Sequence, residues 1–192
     1  MRNLILTCHT GRGHDSAAEA VAAELRQRSH SCRTVDALAM VSPAISHLVS
    51  DGHVWLYRHA PQLFDRGYSW ASHHPQLLGR GQNGQRADLT HGRLKRCLME
   101  GQYDAVLCTH VFAALLLGST PLPPGCRPRT AFLATDYGCS PGVGSLSVDT
   151  WFIPDGSLRD EFVRCGVPPE RITVSGIPIR QGFGVCRDKE AA

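Results

Sequence analysis

A short polar run near the amino terminus, His9-Thr10-Gly11-Arg12-Gly13-His14-Asp15, carries the first chemistry of this sequence. An imidazole at such a place takes up or gives away a proton near neutral pH, which makes His14 a candidate base. The two glycines admit backbone angles closed to other residues and let a ligand approach the main chain. If a helix follows, its unpaired N–H groups and positive dipole end suit a phosphate or another anion.

The flanking residues predict the elements that would hold this run. Before it stands Asn3-Leu4-Ile5-Leu6-Thr7-Cys8, short and continuously apolar, as expected of a strand buried on both faces of a parallel sheet. After it, Ala17, Ala18, Val21, Ala22 and Leu25 recur at the spacing of one helix face. Ser16 with Glu19 reads as a capping box, which predicts a helix start within a residue of Asp15. The unit is strand, glycine loop, helix. It is not a P-loop, because no Gly-Lys-Ser/Thr follows. A dinucleotide fingerprint is matched in part, with Ser16 at the third small position and Asp36 at the end of the next strand. A tight turn that binds nothing is the remaining alternative.

Composition narrows the class. The 192 residues are enough for one α/β domain with a proper core, or two small ones. A formal net charge of +3 without a long basic run argues against nucleic acid as a partner. Cysteines stand at 8, 32, 97, 108, 126, 139, 165 and 186 with no CxxC pair, so the expectation is a reduced, cytosolic protein without a structural zinc. No secretory signal is visible and no segment approaches bilayer-spanning length.

Further along, residues 32–36 read as a second strand ending in Asp36. Ile45, Leu48, Val49, Trp55 and Leu56 fit a helix that Pro61 stops, and Leu63, Phe64, Tyr68 and Trp70 fit another. These aromatics have two readings, the core of a helical layer or a lid facing lipid or acceptor. Residues 79–86 form a glycine-rich polar loop. Arg80, Arg86, Arg93, Lys95 and Arg96 make the densest basic zone, read either as a solvated helix face or as attraction to an anionic membrane surface. A helix is predicted over 89–99 and a strong strand over 103–109. His110 follows that strand, at the edge where open α/β sheets bind ligands, and an apolar helix follows over 111–117. Strands over 130–135, 149–154 and 171–175 and a helix over 157–165 complete the pattern, with Asp136 and Tyr137 at the exit of the first. Alternating strands and helices at this spacing predict a doubly wound parallel sheet, Rossmann-like.

Four ordered motifs carry a resemblance that covers nearly the whole chain. They are Gly11-Arg12-Gly13-His14 with Ala17, Ala18 and Ala20; Tyr103-Asp104-Ala105-Val106-Leu107-Cys108-Thr109-His110; Thr135-Asp136-Tyr137; and Gly166-Val167 followed by Arg171-Ile172-Thr173-Val174-Ser175-Gly176-Ile177-Pro178-Ile179. In these the chain resembles the N-terminal half of the monogalactosyldiacylglycerol synthase and processive diacylglycerol glucosyltransferase family, similar in architecture to the lipid-linked glycosyltransferase MurG. There are departures: where the family often has His and Trp after the third motif, Ser140 and Val143 stand here.

The resemblance implies an N-terminal, acceptor-binding domain of a GT-B glycosyltransferase over residues 1–180, with a helical and loop insertion at about 42–98. Residues 181–192 would begin a linker to a nucleotide-sugar domain. The implied reaction moves glucose or galactose from a UDP-sugar to the hydroxyl of diacylglycerol, with inversion. It casts His14 as base and Asp136 as its orienting group or substitute. Gly11, Arg12, Gly13, His110 and Tyr137 would line the diphosphate and acceptor cleft, and Trp55, Phe64, Tyr68, Trp70, Arg80 and Arg86 would meet lipid. No metal or cofactor is expected, the UDP-sugar being a substrate. The expected place is cytoplasmic, peripheral at the inner face of the cell membrane, and the chain alone is expected to be inactive. The alternatives are an isolated dinucleotide-binding domain and a non-catalytic subunit completed by a separate donor-domain chain.

Overall fold

The computed structural model of the chain describes residues 1–9, 12–41 and 84–183. The strands are β1 (Arg2–Thr7), β2 (Ser31–Asp36), β3 (Ala105–Cys108), β4 (Arg129–Leu133), β5 (Thr150–Ile153) and β6 (Ile172–Val174). They form one sheet in the order β2-β1-β3-β4-β5-β6, with every described pair parallel. The helices are α1 (Arg12–Gln27), α2 (Ala37–Val41), α3 (Gly84–Gly101), α4 (Val111–Ser119) and α5 (Arg159–Arg164). The expected doubly wound α/β fold is present.

The apolar runs explain the layers. Leu4, Ile5 and Leu6 of β1 are all fully buried, but they face opposite ways. Leu4 and Leu6 pack with Leu94 and Leu98 of α3 and with Ala113, Ala114, Leu116 and Leu117 of α4. Ile5 packs with Ala18 and Ala22 of α1, joined by Leu107 of β3. Val106 and Cys108 return to the α3/α4 side, so the period of two decides which helix each strand residue meets. Small side chains on α1 let that helix lie close to the sheet. Each large side chain so buried contributes roughly 1.5–3 kcal/mol.

Two boundaries differ from expectation. The first helix starts at Arg12 rather than beside Asp15, so Arg12, Gly13 and His14 belong to its first turn. Long-range contacts of His14 and Asp15 to strand ends hold this turn, and Ser16 lies inside the helix, where Arg180 donates Nε–H to its hydroxyl at 3.2 Å. The third helix starts at Gly84, so residues 84–86 are helical rather than loop. Its Leu94 and Leu98 are buried in the core, which anchors the helix to the sheet.

After β6 the chain returns to α1. Arg180 lies 3.7 Å from the Glu19 carboxylate, and Gln181 donates to the Gln27 side-chain oxygen at 2.8 Å. The segment thus ties the edge strand back to the helix that carries His14.

Candidate active site

Strand order reverses direction between β1 and β3, and ligands of open α/β sheets bind outside the carboxyl ends of the strands at such a point. Thr7 and His9 stand at the exit of β1, Thr109 and His110 at the exit of β3, and Thr135, Asp136 and Tyr137 at the exit of β4. The first turn of α1 brings His14 and Asp15 to the same edge. The main-chain N–H of Thr109 donates to Leu6 O at 3.0 Å, which ties the exits of β1 and β3 together.

His14 is held through one nitrogen. Its Nδ1 lies 2.7 Å from the Thr109 carbonyl oxygen and 2.8 Å from the Thr135 hydroxyl oxygen. A carbonyl oxygen only accepts, so Nδ1 carries the proton and donates, and in the neutral ring Nε2 holds the lone pair. His110 is set the opposite way. It is the N-cap of α4, and its Nδ1 accepts the Phe112 N–H at 3.1 Å. A backbone N–H only donates, so in the neutral ring of His110 the proton sits on Nε2. The two rings meet edge to face, with centroids 4.7 Å apart and planes at 78°. The site therefore sets two neutral imidazoles of opposite tautomer against each other.

A third imidazole is held by a carboxylate. His9 Nδ1 lies 2.7 Å from Asp15 Oδ2, while Thr7 donates its hydroxyl to Asp15 Oδ1 at 2.9 Å. The hydrogen bond to Asp15 pushes the His9 pKa above 6.5, helped by the charges of Asp15 and Asp36 and opposed by partial burial.

Thiol chemistry does not fit the buried cysteines beneath these strand ends. Burial pushes the Cys8 and Cys108 thiols far up, with the charge of Asp36 adding to the effect at Cys8. Among the described residues no group of three His, Cys, Asp or Glu is placed to hold a metal ion.

The remaining expected residues divide. Arg12 and Gly13 are exposed in the first turn of α1. Among the described residues a Cβ at Gly13 would meet nothing within 4 Å. Tyr137 is 74 % exposed. Asp136 is exposed and, among the described residues, makes no hydrogen bond or ion pair; the side chain that reaches His14 from this strand exit is that of Thr135. The carboxylate of Asp36, the acid of the dinucleotide alternative, caps α2 by accepting the Leu38 N–H at 2.9 Å. Gly11, Trp55, Phe64, Tyr68, Trp70 and Arg80 lie outside the described residues, and Arg86 falls within α3 with its side chain outside them. Arg93, Lys95 and Arg96 are exposed on α3. Among the described residues no helix is long and apolar enough to cross a membrane.

Thr109, Thr135 and the His9–Asp15 pair are absent from the expected site. The available signal was position: each stands at or beside a strand exit next to a residue already singled out.

The sequence has relatives among known proteins. The chain is 22 % identical over 176 residues to the uncharacterized glycosyltransferase YkoN of Bacillus subtilis (strain 168), covering 89 % of this chain and 45 % of that protein. It is 24 % identical over 194 residues to a processive diacylglycerol beta-glucosyltransferase of Bacillus cytotoxicus, covering 97 % and 47 %. A protein of the same name from Bacillus cereus (strain B4264) is 24 % identical over 181 residues, covering 94 % and 45 %. The chain thus spans about half the length of these relatives. Residues 14–179, from the anchored histidine through β6 to the Ile179 that precedes Arg180, match one family as a single block, and the chain belongs to the monogalactosyldiacylglycerol (MGDG) synthase family.

Proposed function

We propose that this chain is the acceptor-binding half of a glycosyltransferase that moves a hexose from a UDP-sugar to the free hydroxyl of diacylglycerol. Family membership and the activity for which the relatives are named support the substrate class. The observation that carries the mechanism is the anchoring of His14 Nδ1 at 2.7 Å from Thr109 O, which leaves Nε2 as the basic nitrogen at the switch-point edge.

In the proposed step the acceptor hydroxyl gives its proton to His14 Nε2, and its oxygen attacks the anomeric carbon from the face opposite the diphosphate. The bond from that carbon to the diphosphate oxygen breaks, and the electron pair leaves with UDP. The first N–H groups of α1 suit the diphosphate, whose charge the helix dipole favours, and among the described residues nothing crowds Gly13. His110, with a proton on Nε2, meets the same ring edge to face at the exit of β3. Residues 1–180 would form the acceptor domain, and residues 181–192 would lead toward a nucleotide-sugar domain. The chemistry needs neither metal nor cofactor. The protein would work at an anionic membrane surface, where its lipid acceptor lies.

The test is an assay with UDP-glucose or UDP-galactose and diacylglycerol vesicles. A two-domain protein carrying this chain as its first half is expected to transfer hexose, and the 192-residue chain alone is not, because half of the contacts to the nucleotide would be missing. Measurable turnover by the isolated chain overturns the division of labour. No transfer to diacylglycerol by the two-domain protein overturns the acceptor assignment.

A further inference from the structure

We propose that Thr135 is a positioning residue for His14, its hydroxyl acting with the Thr109 carbonyl to hold the Nδ1 proton and keep Nε2 basic. The inference rests on the reading of His14 as the base.

The two acceptors converge on one nitrogen from different strand exits. Thr109 follows β3 and Thr135 closely follows β4, and these strands are neighbours in the sheet. Their oxygens lie 2.7 and 2.8 Å from Nδ1. Nδ1 carries a single proton, and that proton already points to a carbonyl, so the Thr135 oxygen accepts in a three-centre bond and its own O–H turns elsewhere. Turning the ring over would exchange Nδ1 for a carbon and lose both contacts. The pair of acceptors therefore fixes ring orientation and tautomer together.

The same contacts assist proton transfer. When Nε2 takes the acceptor's proton, the ring becomes cationic and Nδ1–H becomes a stronger donor, so both bonds tighten. No proton leaves Nδ1, and Thr135 is not a relay. A neutral acceptor is suited to this work because it stabilises the transient charge without making it permanent. His9 shows the other outcome in the same site: its carboxylate partner Asp15 pushes its proton affinity up. Asp136, one residue on, makes no hydrogen bond or ion pair among the described residues, which leaves the contact to the threonine.

The test reads the His14 ring by nitrogen-15 NMR across pH in the 192-residue chain, with His14→Gln identifying its signals. In the unsubstituted chain the neutral ring is expected to carry its proton on Nδ1. In Thr135→Val the titration midpoint should fall, since an acceptor that favours the charged ring is lost, and the Nε2–H tautomer should gain population. Thr135→Ser should restore both, and Asp136→Asn should change neither. If the valine variant does not fold, Thr135→Ala removes the same hydroxyl with less bulk and is read in the same way. An unchanged midpoint and tautomer without the hydroxyl overturn the inference, as does a shift caused by Asp136→Asn. Neither result depends on turnover, so the reading of His14 as base fails separately, if His14→Ala keeps normal hexosyl transfer.

Discussion

At the scale of residues, what distinguishes the imidazoles is the partner of each Nδ1. His14 donates to a carbonyl oxygen, His110 accepts from a backbone N–H, and His9 pairs with a carboxylate. The carboxylate pairing makes stability depend on the charge of the ring in a direction that follows from the structure. The His9 pKa is raised above 6.5 by Asp15, so its contribution is fully present below that value and is lost as pH rises through the folded-state value. Asp15→Asn is expected to bring the His9 midpoint down to its ordinary range and to flatten the pH dependence of unfolding across that window. Proton NMR of the ring and urea melts at several pH values check this, and an unchanged midpoint contradicts it. His14 was legible in the sequence because glycines and an apolar strand bracket it. Thr109 and Thr135 were not, because their contacts span separations of 95 and 121 residues, and nothing local to a threonine tells that its oxygen meets a distant ring.

At the scale of elements, the instructive case is the start of α1. A capping box at Ser16 and Glu19 was a sound local signal, yet the helix begins at Arg12 because its first turn is fastened to the strand ends. Tertiary contacts overrode a cap that contributes about 1 kcal/mol. This changes the meaning of Gly13. The residue is helical, has no positive φ, and among the described residues nothing stands where a side chain would project. Neither backbone strain nor crowding among the described residues calls for a glycine. Gly13→Ala is therefore expected to leave the fold intact, or to stabilise it by up to about 1 kcal/mol through helix propensity. If a diphosphate uses this space, the same change should lower hexosyl transfer at least tenfold in the two-domain protein, an order set by losing one transition-state contact. Full activity with an alanine at this position would place the ligand elsewhere. β1 was read almost to its ends because its continuous apolar run is buried on both faces. The start of α3 was missed because Gly84, Gln85 and Arg86 share the glycine-rich, polar composition of the residues before them, and it is the burial of Leu94 and Leu98 further along that anchors the helix.

At the scale of the molecule, the strand order puts the switch point between β1 and β3, and His9, His14 and His110 are anchored at that edge. The doubly wound fold was legible from the alternation of elements, whereas the convergence of three strand exits on α1 was not, since register and crossover are long-range properties. The exposed Arg93, Lys95 and Arg96 give α3 a basic stretch, so the chain is expected to pellet with anionic vesicles more than with neutral ones, and less as salt rises. Equal pelleting with both kinds, or with neither, contradicts a membrane role for this surface. The central claim is that His14 is the base for transfer to a lipid hydroxyl, and its most direct test is the turnover rate of His14→Ala in a two-domain protein carrying this chain as its first half. The account predicts a fall in kcat on the order of a hundredfold or more with the fold intact; near-normal turnover would contradict it and put the base elsewhere.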